Sequence, residues 1–192
     1  MKIIVIGAGA MGCLYGAYLS KHNDVTMLDV YEPQVENINK NGITVLEEDG
    51  TEQHFSGIRA MKSGACKEVA DLVIVFVKTT HTESSLEENK DLFGENTLVM
   101  TLQNGAGNDR KIAKYVRTEN IIIGTSKHNS VNLGGGKIRH SGNGVTTIGS
   151  NLEENTHLQT VANLLTEAGF QSAVSDDIQR IIWSKLFVNL SI

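Results

Sequence analysis

Gly7-Ala8-Gly9-Ala10-Met11-Gly12 spells G-x-G-x-x-G, directly after the apolar run Lys2–Ile6 and at the opening of a helical stretch. In that setting each glycine has work to do. Gly7 allows a tight turn, Gly9 lets a pyrophosphate approach the backbone, and Gly12 lets helix and strand pack closely. Ala8, Ala10 and Met11 complete the loop, and the free N–H groups of the helix start face the phosphates. A plain glycine-rich strand-to-helix turn is the alternative. Asp29 lies 20 residues after Gly9, at the end of the next strand, where a carboxylate can accept hydrogen bonds from ribose hydroxyls. A 2′-phosphate there would meet Asp29 and Glu32, with no Arg or Lys following the strand, so the pattern favours NAD(H) over NADP(H). An exposed turn carboxylate is the bland reading of Asp29. Acids at this place also occur in proteins that bind S-adenosylmethionine.

Three further positions suit the chemistry of a reacting centre. Lys78 ends VIVFVKTT, a cation at the mouth of a buried strand, and Asn104 follows the strand 98–102 in the loop Gln103-Asn104-Gly105-Ala106-Gly107. Taken singly, they read as a strand-end cation and a turn residue; together they converge on the cofactor crevice. In the last helix, Ile178, Ile182, Lys185 and Asn189 fall on one helical stripe among apolar neighbours. Lys185 either snorkels to water or is held desolvated, which would lower its pKa towards the range useful for proton donation.

These residues need a scaffold that brings strand ends together. Strands at Lys2–Ile6, Asp24–Val30, Asp71–Val77, Thr97–Leu102 and Asn120–Gly124 alternate with helices at Ala10–Lys21, from Pro33 to about Asn41, through Lys90, and at Asp109–Val116. Ile43–Leu46 and Gln53–Gly57 form a short meander around Asp49-Gly50. Lys137–His140 and Val145–Ile148 flank Ser141-Gly142-Asn143-Gly144 as a hairpin signal. A helix over 153–167 stopped by Gly169, a strand near 171–174 and a helix opening at Ser175 complete the chain. The expectation is α/β: a doubly wound (Rossmann) mostly parallel sheet with an antiparallel edge.

The composition fits that class and excludes others. The chain has 192 residues, 17 Lys+Arg against 22 Asp+Glu for a net charge of −5, 40% hydrophobic and 20% charged residues. The mildly acidic balance argues against a nucleic-acid surface. Gly7, Gly9, Gly12 and Gly16 interrupt the N-terminal apolar run, and no later run approaches a membrane span, so no targeting segment and no membrane is expected. The Gly12-x-x-x-Gly16 spacing therefore is not a membrane dimer motif. Cys13 and Cys66 form no disulfide scaffold, which points to the reducing cytoplasm. No metal is expected: His81, His128 and His140 lack ligand spacing and read as surface or hydrogen-bonding side chains.

GAGAMG, the Lys of VKTT, the QNGAG loop, GTSKH (124–128) and WSKLFVN (183–189) together resemble the ketopantoate reductase (2-dehydropantoate 2-reductase) family, in order and over the whole chain. The resemblance implies reduction of a 2-oxo acid to a D-2-hydroxy acid, with pantoate as the namesake product of pantothenate biosynthesis. It implies Lys185 as proton donor to the ketone and Asn189 as a substrate-binding residue. Positions matching Lys78 and Asn104 contact cofactor or substrate around the reacting centre, and Ser130 matches a small residue near the nicotinamide. NADPH is the family's usual cofactor, with an Arg where this chain has Val30. Asp29 followed by Val30 looks instead like the NAD-dependent D-2-hydroxyacid dehydrogenases, whose 2-oxo acids are bulkier, branched or aromatic.

The family continues into an all-helical substrate domain. On that basis 1–174 reads as the NAD(P)-binding domain and 175–192 as the start of the interdomain helix, with the chain ending three residues beyond Asn189. The 192-residue piece is expected to bind cofactor but reduce its small-molecule substrate poorly. It should also expose an apolar helix face that invites pairing as a homodimer. A non-catalytic nucleotide-binding module is the alternative from another class.

Overall fold

The structure is a computed structural model that describes the backbone of residues 1–190 and the side chains of residues 1–187. The chain opens with β1 (Lys2–Ile6), α1 (Ala10–Leu19), β2 (Asp24–Asp29) and α2 (Glu32–Asn41). Pro33 sits in the first turn of α2, where its missing N–H costs no bond. A small hairpin follows, β3 (Ile43–Leu46) and β4 (Glu52–Phe55), and then a short strand that sequence reading left out, β5 (Arg59–Lys62). Next come β6 (Leu72–Val75), α3 (Thr82–Glu88), β7 (Leu98–Thr101), α4 (Asn108–Ile112) and β8 (Ile121–Ser126). The chain continues through β9 (Asn129–Gly134), β10 (Lys137–Gly142), β11 (Thr146–Gly149), α5 (Leu158–Ala168), β12 (Ser172–Val174) and α6 (Ile178–Leu190).

Eight strands form one sheet in the order β12-β11-β8-β7-β6-β1-β2-β5. All its pairs are parallel except β11 against β8, so the doubly wound sheet and its antiparallel edge are as expected. Helices on both faces explain why the central strands are apolar without alternation: every residue of β6 and β7 is buried. One core, on the α1 and α5 face, includes Ile3, Val5, Tyr15, Leu72, Ile74 and Phe170; the other, on the α6 face, includes Ile4, Ile6, Val73, Val75, Ile178 and Ile182.

A second sheet, of order β4-β3-β10-β9, packs over α1. It corrects the hairpin expected at 141–144: β10 and β11 belong to different sheets, and β11 pairs with β8. The actual hairpin joins β9 to β10 through Gly134, Gly135 and Gly136, whose φ values of 85°, 57° and 71° suit a left-handed turn that few other residues adopt. The same sheet explains α1. Covered by a sheet on each side, the helix is buried from Gly12 to Leu19, which is why AMGCLYGAYL has no polar face.

Several boundaries also shift: the helix expected to run to Val116 ends at Ile112, and the strand expected to stop at Gly124 runs to Ser126. The helix expected from residue 153 starts at Leu158, although Gly169 does stop it, with φ 105°. The last helix starts at Ile178 rather than Ser175: Ser175 Oγ accepts from the Asp177 N–H (3.2 Å) and Asp177 Oδ1 from the Arg180 N–H (3.2 Å), a capping turn ahead of the helix.

Candidate active site

Chain order diverges on either side of β1: it steps outward to β2 and β5, then returns to β6 on the other flank. At such a switch point the loops after adjacent strands part and leave a crevice outside the carboxyl ends. Two cavities occupy it here. One, of about 430 Å³, is lined by Gly7, Gly9, Asp29, Val30 and Lys78 among others. The other, of about 550 Å³, is lined by Met11, Lys78, Asn104, His128, Ser130 and Lys185 among others. Phe76, Val77 and Lys78 border both, so the two run together at the end of β6.

The glycine-rich turn has the shape its spacing implies. Gly7 takes φ 103°, and its N–H donates to the Leu28 carbonyl (2.7 Å). A Cβ on Gly12 would stand 1.8 Å from the Gly7 oxygen, so the helix and the turn are in backbone contact. A Cβ on Gly9 would meet nothing within 4 Å, because Gly9 faces the open crevice. The first helical bond of α1 runs from the Cys13 N–H to the Gly9 carbonyl (2.8 Å), leaving the preceding helix-start N–H groups for a ligand. Open space above Gly9 beside a helix start fits a dinucleotide's pyrophosphate.

Asp29 holds this loop from the side. Its Oδ2 accepts from the Ala8 N–H (2.7 Å) and its Oδ1 from the Tyr31 N–H (2.9 Å). Val30 beside it is 69% exposed. The fold adds one group that spacing did not suggest. Lys62 of β5 stands opposite Asp29 in the sheet register, and its Nζ pairs with Glu32 (2.6 Å). No cation follows β2 in sequence, yet one reaches that neighbourhood from another strand.

At the other end, the loops after β6 and β7 are tied together. The Gln103 amide nitrogen donates to the Val77 carbonyl (2.5 Å) and Thr82 Oγ1 (3.0 Å), while Thr79 Oγ1 donates to the Asn104 carbonyl (2.9 Å). Gln103 is thus a positioning residue that the reading of QNGAG passed over in favour of Asn104. Lys78 and Asn104 are both exposed on the cavity wall. Phe76, under the junction, is backed by Tyr15 (ring centroids 5.0 Å apart). The Tyr15 hydroxyl lies 3.0 Å from Ser126 Oγ and 2.6 Å from Thr146 Oγ1.

Of the expected stripe on α6, Ile178 and Ile182 are buried and Lys185 follows them into the cavity. Its Nζ donates to the Ser126 carbonyl at 2.7 Å. Burial, and then the nearby Lys127 charge, hold its pKa below the ordinary lysine value. Trp183 and Phe187, apolar neighbours on the helix, are 47% and 66% exposed and do not cover Lys185. The side chain instead reaches the β8–β9 junction, where it shares a cavity wall with Ser126, His128 and Asn129. The side chain of Asn189, expected one turn further on, lies outside the described residues.

Ser130 and His128 reach the same cavity, and Ser130 Oγ and His128 Nε2 are buried with no partner among the described residues. His128 Nδ1 lies 3.0 Å from His140 Nε2, and His140 Nδ1 lies 2.8 Å from Glu47 Oε2. His128 and His140 therefore have the hydrogen-bonding role expected of them, and His81 is exposed beside the Asp29 cavity. Among the described residues no cluster of three or more His, Cys, Asp or Glu side chains could hold a metal, and no helix is long and apolar enough to cross a membrane.

Burial, and then repulsion from His140 whenever that ring is protonated, pushes the His128 imidazole down from 6.5 to about 4. As pH falls through 6.5 the unfolded chain takes up that proton first, so folding stability is full above this point and drains away down to about 4. Urea unfolding should show a loss on the order of 2–3 kcal/mol across that window, absent in His128→Gln. An equal loss in that variant would assign the acid sensitivity elsewhere.

The family model described as ketopantoate reductase PanE/ApbA matches residues 3–153. The 2-dehydropantoate 2-reductase of Halobacterium salinarum is 31% identical over 195 residues, covering 100% of this chain and 63% of its own length. The Lactococcus lactis enzyme of the same name is 34% identical, with 98% and 61% covered. Among solved structures, D-mandelate dehydrogenase with NADH and anilino(oxo)acetate superposes with a TM-score of 0.92 at 29% identity, covering 98% of this chain and 61% of that one. The 2-dehydropantoate 2-reductase of Geobacter metallireducens gives 0.88 at 31% identity, with 98% and 62% covered. This chain thus spans a little over three fifths of the length of these relatives. With its parallel sheet, glycine-rich turn and matched motifs, the chain belongs to the ketopantoate reductase PanE/ApbA family.

Proposed function

We propose that this chain is the nucleotide-binding part of an NAD(P)H-dependent 2-oxo acid reductase that forms D-pantoate from ketopantoate. The observation that carries the reading is the convergence of Lys185, Lys78, Asn104 and Ser130 on one cavity that opens into the crevice beside Gly9. Gly7 to Gly12 and Asp29 would hold the dinucleotide, and Lys78, Asn104 and Ser130 would border its reactive end. When bound, the reduced nicotinamide supplies a hydride to the substrate's carbonyl carbon. Lys185 stabilises the developing alkoxide and gives its proton to that oxygen, an interaction that is strongest in the transition state. Asn104 and Asn189 bind substrate, residues 1–174 form the nucleotide domain, and 175–192 begin the interdomain helix. Pairing into a homodimer through exposed Trp183 and Phe187, and a cytoplasmic location, belong to the same proposal.

A second reading, an NAD-dependent D-2-hydroxyacid dehydrogenase acting on bulkier 2-oxo acids, is favoured by Asp29-Val30 and by the likeness to D-mandelate dehydrogenase. A panel of 2-oxo acids assayed with both cofactors, on a protein of the family's full length, separates them. Highest kcat/KM on ketopantoate supports the first reading; highest kcat/KM on an aromatic 2-oxo acid supports the second.

Cofactor preference follows from Asp29 and from the partner of Lys62. NADH is expected to bind more tightly than NADPH in a fluorescence titration. Glu32→Ala frees Lys62 to meet a 2′-phosphate and should narrow that gap by about three- to fivefold, the worth of an exposed ion pair. Tighter NADPH binding by the unaltered protein would show that Asp29 does not set the preference.

A further inference from the structure

His128 Nε2 and Ser130 Oγ are two buried polar atoms in the wall of one cavity, on residues that flank the first position of β9, and neither has a partner among the described residues. Both residues line the cavity that also holds Lys78, Asn104 and Lys185. Leaving two such atoms bare is costly unless a ligand completes them.

What that ligand must offer is fixed from behind. Tyr18 donates its hydroxyl hydrogen to Glu47 Oε1 and in turn accepts from the Gln53 amide (3.0 Å). A carboxylate only accepts, so the hydrogen between Glu47 Oε2 and His140 Nδ1 (2.8 Å) belongs to the ring. In neutral His140, Nε2 then carries the lone pair. The hydrogen in the 3.0 Å contact with His128 must therefore sit on His128 Nδ1. His128 Nε2 is left as a bare acceptor buried in the cavity wall. The 2-oxo acid group offers only acceptors of its own and cannot satisfy it. A primary carboxamide can: it has N–H donors for the imidazole and a carbonyl oxygen for the serine hydroxyl.

We propose that the Glu47–His140–His128 chain presents a fixed acceptor to the carboxamide N–H of the nicotinamide ring, with Ser130 Oγ donating to the carboxamide oxygen. The inference rests on the nicotinamide cofactor reading and adds residues to it. Glu47 and His140 are positioning residues, and His128 and Ser130 make the contacts. All four sit in or beside the second sheet, where β10 pairs with β3 and His140 is the register partner of Ser130. That sheet thus has a recognition task besides covering α1.

Calorimetric titration of the 192-residue chain tests it with NAD⁺, the 3-acetylpyridine analogue (a methyl in place of the NH₂) and ADP-ribose. NAD⁺ should bind about tenfold more tightly than the acetyl analogue, the cost of an acceptor left unpaired. His128→Phe should bring the two within about twofold while ADP-ribose affinity holds. Glu47→Gln can donate to His140 Nδ1, which reverses the chain of hydrogens and should remove the preference in the same way. Imidazole ¹⁵N shifts read the arrangement without any substitution: His128 should carry its hydrogen on Nδ1 in the unaltered chain and on Nε2 in Glu47→Gln. If ADP-ribose binds but NAD⁺ shows no preference over its analogue, or if Nε2 is protonated in the unaltered chain, the carboxamide assignment fails alone. If neither nucleotide binds, the cofactor reading fails and the assignment with it.

Discussion

Lys185→Ala, made in a protein of the family's full length, should lower kcat for 2-oxo acid reduction by about 10²- to 10⁴-fold, the usual worth of a positioned general acid. Nucleotide affinity should barely change, because Lys185 lies on α6, at the far end of the crevice from Gly9 and Asp29. The Ser126 carbonyl holds the ammonium at 2.7 Å through one of its hydrogens; the others remain for a substrate oxygen. An Arg in its place keeps a charge but cannot give up a proton in the working range, so Lys185→Arg should not restore turnover. The pH profile carries an independent signature. The amine must be protonated to donate, so reduction should slow as pH rises through its pKa, at a point below the ordinary lysine value of 10.5. That limb should vanish in the alanine variant. Near-normal kcat in Lys185→Ala would remove the residue from the chemistry and leave it as a helix-anchoring side chain.

The parts of this site that were legible in sequence are those encoded within one element. G-x-G-x-x-G lies in a single turn, and Lys185 follows Ile178 and Ile182 at helical spacing, so local period was enough to place them. The parts that were missed depend on pairing between distant segments. β9 reads NSVNLG, too polar to announce a strand, because every residue but Ser130 is exposed. Without β9 the hairpin signal falls on residues 141–144, one turn later in the chain than the β9–β10 hairpin. The pairing of Glu47 with His140 spans 93 residues, and it exists only because β10 lies parallel to β3. Lys62 near Asp29 has the same origin in the pairing of β2 with β5. No spacing rule within either segment carries that information.

Two glycines of the same turn should respond in opposite ways to one added methyl group. At Gly12 the new Cβ would stand 1.8 Å from the Gly7 oxygen and 3.0 Å from its carbonyl carbon, both backbone atoms. Gly7 cannot retreat freely, since its N–H is bonded to Leu28 (2.7 Å) and its own φ of 103° suits only glycine well. Gly12→Ala should therefore push α1 off the sheet and cost about 3 kcal/mol, at the upper end for overpacking. In a domain of this size that lowers Tm by roughly 6–12 °C, with dinucleotide affinity lost as the turn deforms. Gly9 has an ordinary φ of −73° and open space where its Cβ would go. Gly9→Ala should thus fold with unchanged or slightly raised stability, by about 0.4–1 kcal/mol, because alanine narrows the unfolded ensemble. Its methyl group would nevertheless occupy the space in which a pyrophosphate meets the backbone, and affinity should fall at least about tenfold by the same overpacking. Thermal denaturation and nucleotide titration of the two variants separate the effects. Unimpaired binding by a well-folded Gly9→Ala would mean that the phosphates do not sit over this helix start, and the nucleotide would have to be placed elsewhere along the crevice.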